Sequence, residues 1–285
     1  MRIFISIAFL FATVFPQSSF FKRSDFGEIC LSVGLPKTCL DDVRIVFADD
    51  KDELHRLSGG AIPEWGAGFA VPGDNAVVIL KSGDVERLRA VLVHELTHIA
   101  LHKKLSPRSG AQIGIPRWFD EGVAQRLSGG LLVSRQSRIA WAVLWRNVIP
   151  LQALERVNEF NSPGAKLAYA EAHDAVLFLE RLCPIRRICD SVSAAEGFQE
   201  GFRRATGMTI YEFYERWHKH LLSAYLPFVI LGDQRFLWTF VVLVFVLFGM
   251  FRFIRQRREL AKLHRLADEE RWEKPDDLYD NDFHF

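Results

Sequence analysis

A surplus of charge of either sign is missing from this chain, which sets 36 lysines and arginines against 35 aspartates and glutamates. Nucleic-acid binding needs basic residues in excess on one face, so no nucleic-acid partner is expected. Cysteine is scarce. The four cysteines (Cys30, Cys39, Cys183, Cys189) include no C-x-x-C pair, which excludes a zinc ribbon or a dithiol redox site. No internal repeat is visible, and long hydrophobic runs are confined to the two ends. Apolar residues are not lacking: at 49% of the chain they are ample for a packed core and exclude disorder for most of its length.

The two terminal runs differ in kind. At the N-terminus Arg2 precedes the apolar stretch Ile3–Phe15, which is too short to span a bilayer but has the layout of a signal peptide over residues 1–19. The second run, Phe236–Ile254, holds no acid and is long enough as a helix to cover most of a ~30 Å hydrocarbon core. Arg252, Arg255, Arg257 and Arg258 lie at or just beyond its end. By the positive-inside rule the tail 255–285 is cytoplasmic and everything before the span faces outward. A cytoplasmic tail and an exported domain (20–225, with a linker 226–235) are therefore expected. In such a compartment the cysteines are expected to pair as neighbours, Cys30 with Cys39 and Cys183 with Cys189.

Between these ends the pattern changes from strands to helices. Val43–Phe47 is a β-branched run, followed by a polar helix from Asp49 to Leu57. Phe69–Val71 and Ala76–Leu80 read as strands around the turn Pro72-Gly73-Asp74-Asn75. Asp84 and its neighbours can cap a helix running to Lys104. Further helices are expected over Pro116–Leu127, Ser134–Trp145, Ser162–Leu182 and Ser191–Thr206. Thr209 and Glu212 have the spacing of a capping box for a last helix ending near Tyr225. Strands first and helices after imply an α+β domain.

The chemistry is concentrated in His94-Glu95-Leu96-Thr97-His98. Residues four apart stack on one helix face, so both imidazoles can meet one ion, and Glu95, about 100° round the helix, can reach a water on it. Val85, Leu88, Leu92, Leu96 and Ile99 make an apolar stripe away from the histidines. A catalytic zinc takes three protein ligands and keeps one position open. His102 shares the face but stands a further turn along, too far for one ion to be ligated by all three. Glu121, in Pro116-Arg117-Trp118-Phe119-Asp120-Glu121-Gly122, is the better third ligand.

An H-E-x-x-H followed some twenty residues later by W-x-x-E-G-x-A resembles the gluzincins, and within them the peptidase MA-like group related to thermolysin and aminopeptidase N. The resemblance covers residues 43–225. It implies a thermolysin-like zincin domain, with His94, His98 and Glu121 as Zn2+ ligands, Glu95 as general base and a peptide or protein as substrate. Asp120 is then the residue that orients a ligand histidine. Family precedent also implies a tyrosine or histidine from a later helix beside the developing oxyanion. Tyr169 in Leu167-Ala168-Tyr169 fills that role, with His173 one turn on as the alternative. The aminopeptidase signature G-x-M-x-N is absent, Gly66-Ala67-Gly68-Phe69-Ala70 standing in its place, so endopeptidase action is implied. The rival from another class is a peptidase-like binding or scaffold protein of the cell envelope that has lost turnover. An intramembrane protease is excluded, because Glu86, Arg87, Arg89, Lys103 and Lys104 bracket the zinc-type helix.

Overall fold

The computed structural model describes residues 26–60, 62, 66–106, 114–129, 132–232 and 234–272; the expected signal segment and the acidic end of the tail lie outside the described residues. Contacts divide the chain into two units, Met1–Pro227 and Phe228–Phe285.

In the first unit α1 (Gly27–Ser32) leads to β1 (Arg44–Ala48), α2 (Lys51–Leu57), β2 (Gly68–Val71) and β3 (Ala76–Leu80). The strands form one small sheet of order β1-β3-β2, with β1 parallel and β2 antiparallel to β3. β3 is the central strand, and its run Ala76–Ile79 is buried, as a β-branched segment covered on both sides should be. Seven helices follow: α3 (Val85–Leu105), α4 (Arg117–Leu127), α5 (Leu132–Leu144), α6 (Ser162–Leu182), α7 (Ile185–Ser193), α8 (Phe198–Thr206) and α9 (Ile210–Gly232). This is an α+β arrangement, mostly helical, with one three-stranded sheet.

Local sequence signals set most boundaries. Asp84 caps α3 by accepting from the Arg87 amide at 3.1 Å, and Asn161 caps α6 through the Gly164 amide at 2.9 Å. The Thr209–Glu212 capping box forms in both directions, at 2.7 and 3.2 Å. The α3 stripe is buried at Leu92, Leu96 and Ile99, whereas Val85, in the first turn, is 47% exposed.

The structure corrects three expectations. Ser191–Thr206 is not one helix but the end of α7, a turn through Ala194–Gly197, and α8. Gly197 has an extended backbone (φ 177°, ψ 168°) that no helix can include, and Pro184 starts α7 earlier. The helix expected to end near Tyr225 runs on to Gly232, past the end of the first unit at Pro227. Only one of the two disulfides is present: Cys30 and Cys39 are joined, but Cys183 and Cys189 are free buried thiols. Cys183 caps the end of α6 and Cys189 lies within α7, where each packs as a small apolar group in the core. Burial pushes the Cys189 thiol up to about 12.

The packing of α4 against α6 fixes the middle of the helical half. Trp118 and Phe119 on α4 are fully buried; Trp118 stacks on Phe213 with ring centroids 5.1 Å apart and donates its indole N–H to the Tyr214 hydroxyl at 2.9 Å. On the neighbouring face Gly122 touches α6 so closely that a Cβ there would collide with the Ala172 carbonyl and the Val176 side chain. From α6, Asp174 accepts from the Trp217 indole (2.9 Å) and the Tyr225 hydroxyl (2.6 Å) and ties α9 to the same core.

In the second unit α10 (Gln234–Trp272) contains Trp238–Lys262, a stretch of mean hydropathy 1.9, long and apolar enough to cross a membrane. The helix continues beyond the apolar run 236–254 because its arginines and glutamates are themselves good helix formers and no proline interrupts them.

Gly122→Ala should lower stability by about 1–3 kcal/mol through overpacking against backbone that cannot yield. Gly73→Ala, where nothing lies within 4 Å of the added methyl, should be near neutral. Thermal melts of the two variants compare them directly.

Candidate active site

Two helices supply the candidate ligands. His94 and His98 lie one turn apart on α3, and α4 brings Glu121 across to them. The donor atoms converge: His94 Nε2 is 3.2 Å from His98 Nε2 and 3.3 Å from Glu121 Oε2, and His98 Nε2 is 3.8 Å from the same oxygen. Among the described residues this is the group of His, Cys, Asp and Glu side chains that could hold a metal ion.

The fit to a cation is good in chemistry and spacing. Two imidazole nitrogens and one carboxylate oxygen form a common catalytic zinc set, and donors ~2.0–2.2 Å from a tetrahedral ion stand roughly 3.3–3.5 Å apart. Glu121 Oε2 is buried, lies within ion-pair distance of both imidazoles, yet has no hydrogen-bond partner. A buried carboxylate oxygen without a donor is costly in a neutral surrounding and expected where a cation would stand.

The surroundings orient the donors. Asp120 Oδ1 is 2.8 Å from His98 Nδ1, so Nδ1 carries a proton, and in the neutral imidazole that a cation requires the lone pair is left on Nε2, facing the cluster. Burial disfavours charge on His98, but Asp120, Glu121 and Glu95 outweigh it and hold its pKa up at about 10. Burial would raise Glu121; instead His94, His98 and Arg117 bring it down to about 2. Glu95 is 8% exposed and lines the same cleft, and burial raises its pKa against the pull of the two histidines.

The cleft, of about 640 Å³, is bounded by α3, α4, the edge strand β2 and Tyr169 of α6. Tyr169 thus lines the cleft. Its alternative, His173, is 5% exposed and is not among the lining residues; burial, with Arg135 and Arg126 nearby, lowers its pKa to about 4. His102 lines the cleft a turn beyond His98, bound to the Ser106 hydroxyl at 3.2 Å, and stands outside the three-donor group.

The residue that sequence reasoning missed is Arg117. Its Nη2 donates to Glu121 Oε1 at 2.8 Å, leaving Oε2 for the cluster, and its positive charge acts on the neighbouring Tyr169 hydroxyl. The signal was available: a basic residue four positions before Glu121 falls on the same helix face. Removing Arg117 strands a buried carboxylate. With the Arg117 side chain 37% exposed, Arg117→Ala should cost about 1–2 kcal/mol. That loss should shrink when divalent metal is added, since the cation compensates Glu121 in its place. Scanning fluorimetry with chelator and with metal measures both values; an equal loss in the two conditions would contradict this role.

Comparison with known proteins agrees with the geometry. No curated protein and no solved structure matches the chain. The family model described as Peptidase MA superfamily matches residues 56–223, which contain α3, α4 and all of the cleft residues described above. With more than half of its length so matched, the chain belongs to the Peptidase MA superfamily.

Proposed function

We propose that this protein is a membrane-anchored zinc metallopeptidase that hydrolyses internal peptide bonds, built on a thermolysin-like zincin domain. The observation that carries the reading is the convergence of His94 Nε2, His98 Nε2 and Glu121 Oε2 beside Glu95 in one cleft. Zn2+ suits the two-nitrogen, one-oxygen set, and these three residues would hold it. When bound, zinc supplies Lewis acidity that makes a water acidic near neutral pH. The protein's own residues do the rest. Glu95 accepts the proton of the attacking water and returns it to the leaving amine. Tyr169, beside Arg117, donates its hydroxyl toward the carbonyl oxygen as negative charge grows there. Asp120 keeps the His98 proton on Nδ1. β2 pairs only with β3 among the described residues, and its open edge along the cleft suits an extended peptide added as a further strand.

In the topology that goes with this function, a signal segment (1–19) exports a catalytic domain (20–225), a linker (226–235) follows, and a single span near 236–254 leaves the tail 255–285 in the cytoplasm. The Arg252–Arg258 cluster supports that orientation, and the Cys30–Cys39 disulfide suits an oxidising compartment.

The full-length protein should contain about one zinc per chain, and His98→Ala should lose it. Glu95→Gln should keep its zinc and lose hydrolysis of unfolded casein by several orders of magnitude. Tyr169→Phe should cut kcat by about 10²–10³ with little change in KM. Metal retained in full by His98→Ala would end the zinc assignment.

Topology has its own test. An alkaline phosphatase fusion after Tyr225 should be active outside the cytoplasm and one after Arg258 inactive. Equal activities would mean that the apolar helix does not span.

A further inference from the structure

Arg135 stands in the first turns of α5 and lines the same cleft as the candidate zinc ligands. Among the described residues, its guanidinium is engaged by one neutral residue: Nη2 donates to Gln125 Oε1 at 2.7 Å and Nη1 to the Gln125 carbonyl oxygen at 3.4 Å. The other arginine in the cleft, Arg117, has Glu121, and Arg126 beside it on α4 has Glu180. Among the described residues no carboxylate pairs with Arg135, and burial, the one influence on it, pushes its pKa down. A guanidinium withdrawn from water without a counter-charge is disfavoured by desolvation and gains when an anion arrives. Its planar fork is shaped to bind a carboxylate through two parallel hydrogen bonds, of which Gln125 satisfies only part.

The charges of the described lining residues agree. With the histidines counted as neutral, Arg117 and Arg135 face Glu95, Asp120 and Glu121, one negative charge in excess. With the ligand histidines neutral, a divalent cation reverses this to one positive charge in excess. A cleft so charged, with one cation unmatched, attracts an anionic substrate.

We propose that Arg135 is a carboxylate-recognition point of this cleft. The peptides the site acts on would then carry an acidic group within reach of α5, either an aspartate or glutamate side chain or a chain-terminal carboxylate. The inference rests on the peptidase function proposed for the site and adds the class of substrate to it. A purely structural Arg135, present to hold Gln125 at the end of α4, would affect acidic and neutral peptides alike.

The test uses full-length protein in detergent and fluorescent decapeptides of neutral sequence. A glutamate is walked through each position against glutamine, and every peptide is made with a free and with an amidated C-terminus. Within each protein the readout is the ratio of kcat/KM for the acidic peptide to that for its neutral counterpart. The same peptides are titrated into the Glu95→Gln protein, with and without Arg135→Gln, by fluorescence anisotropy, so that recognition is measured without turnover. Wild type should favour the acidic group by on the order of 10- to 100-fold. A preference at one glutamate position identifies a side-chain carboxylate, and a preference for the free terminus identifies the terminal one. Arg135→Gln should bring the ratio to within about threefold of unity, and Arg135→Glu should favour lysine at the same position. Melting curves confirm that both variants are folded. An acidic preference that survives Arg135→Gln, or a wild type that binds and cleaves both kinds equally, overturns the proposal. Binding with the expected ratio but no hydrolysis by wild type would leave Arg135 assigned and overturn the peptidase function instead.

Discussion

Glu121 is a charged carboxylate that is only 2% exposed, and the arrangement around it is a response to that burial. A carboxylate so far from water persists only where donors and positive charge converge on it. Arg117 takes one oxygen from the same helix face, and His94 and His98 approach the other from α3. Two further contacts hold this arrangement: Asp120 fixes His98, and the buried Trp118 and Phe119 fix α4 itself. The site is thus a chain of charge compensations that runs from α3 through α4 to α6. The aromatic core beneath α4 holds its geometry steady.

That core explains why the ligand set is carried on helices packed so tightly. Donor atoms 3.2–3.8 Å apart on two different helices leave little room for sliding, because a shift of one ångström would spoil a shared coordination sphere. Fully buried aromatic side chains are each worth several kcal/mol against truncation. Trp118, Phe119, Phe202 and Phe213 therefore resist such movement. The sheet contributes differently. Its edge strand β2 lies along the cleft wall, where an extended chain can meet unpaired backbone groups.

Much of this was legible in the sequence because it is local. The spacing within His94–His98 specifies a helix face, Asp84 announces a helix start, and the Pro72–Asn75 turn separates two strands of the sheet. Glu121 was legible through its tryptophan and glycine neighbours, and Tyr169 through family precedent. What escaped is non-local. The places of Arg117 and Arg135 in the cleft depend on which helices close around them, and no periodicity encodes that. The Cys183–Cys189 pair failed for the same reason: closeness in sequence says nothing of whether two side chains turn towards each other or separately into a core. The break at Gly197 was missed because a run of helix-forming residues on either side outweighed one glycine that the backbone uses as an extended hinge.

Gly122 has a consequence for how such a cleft can change over time. Immediately after Glu121, the backbone of α4 rests on that of α6 with no side chain between them. The depth at which the carboxylate sits is thereby written in main-chain contact, beyond the reach of compensating side-chain swaps. A side chain at residue 122 would have to push α4 off α6, and with it the carboxylate next door.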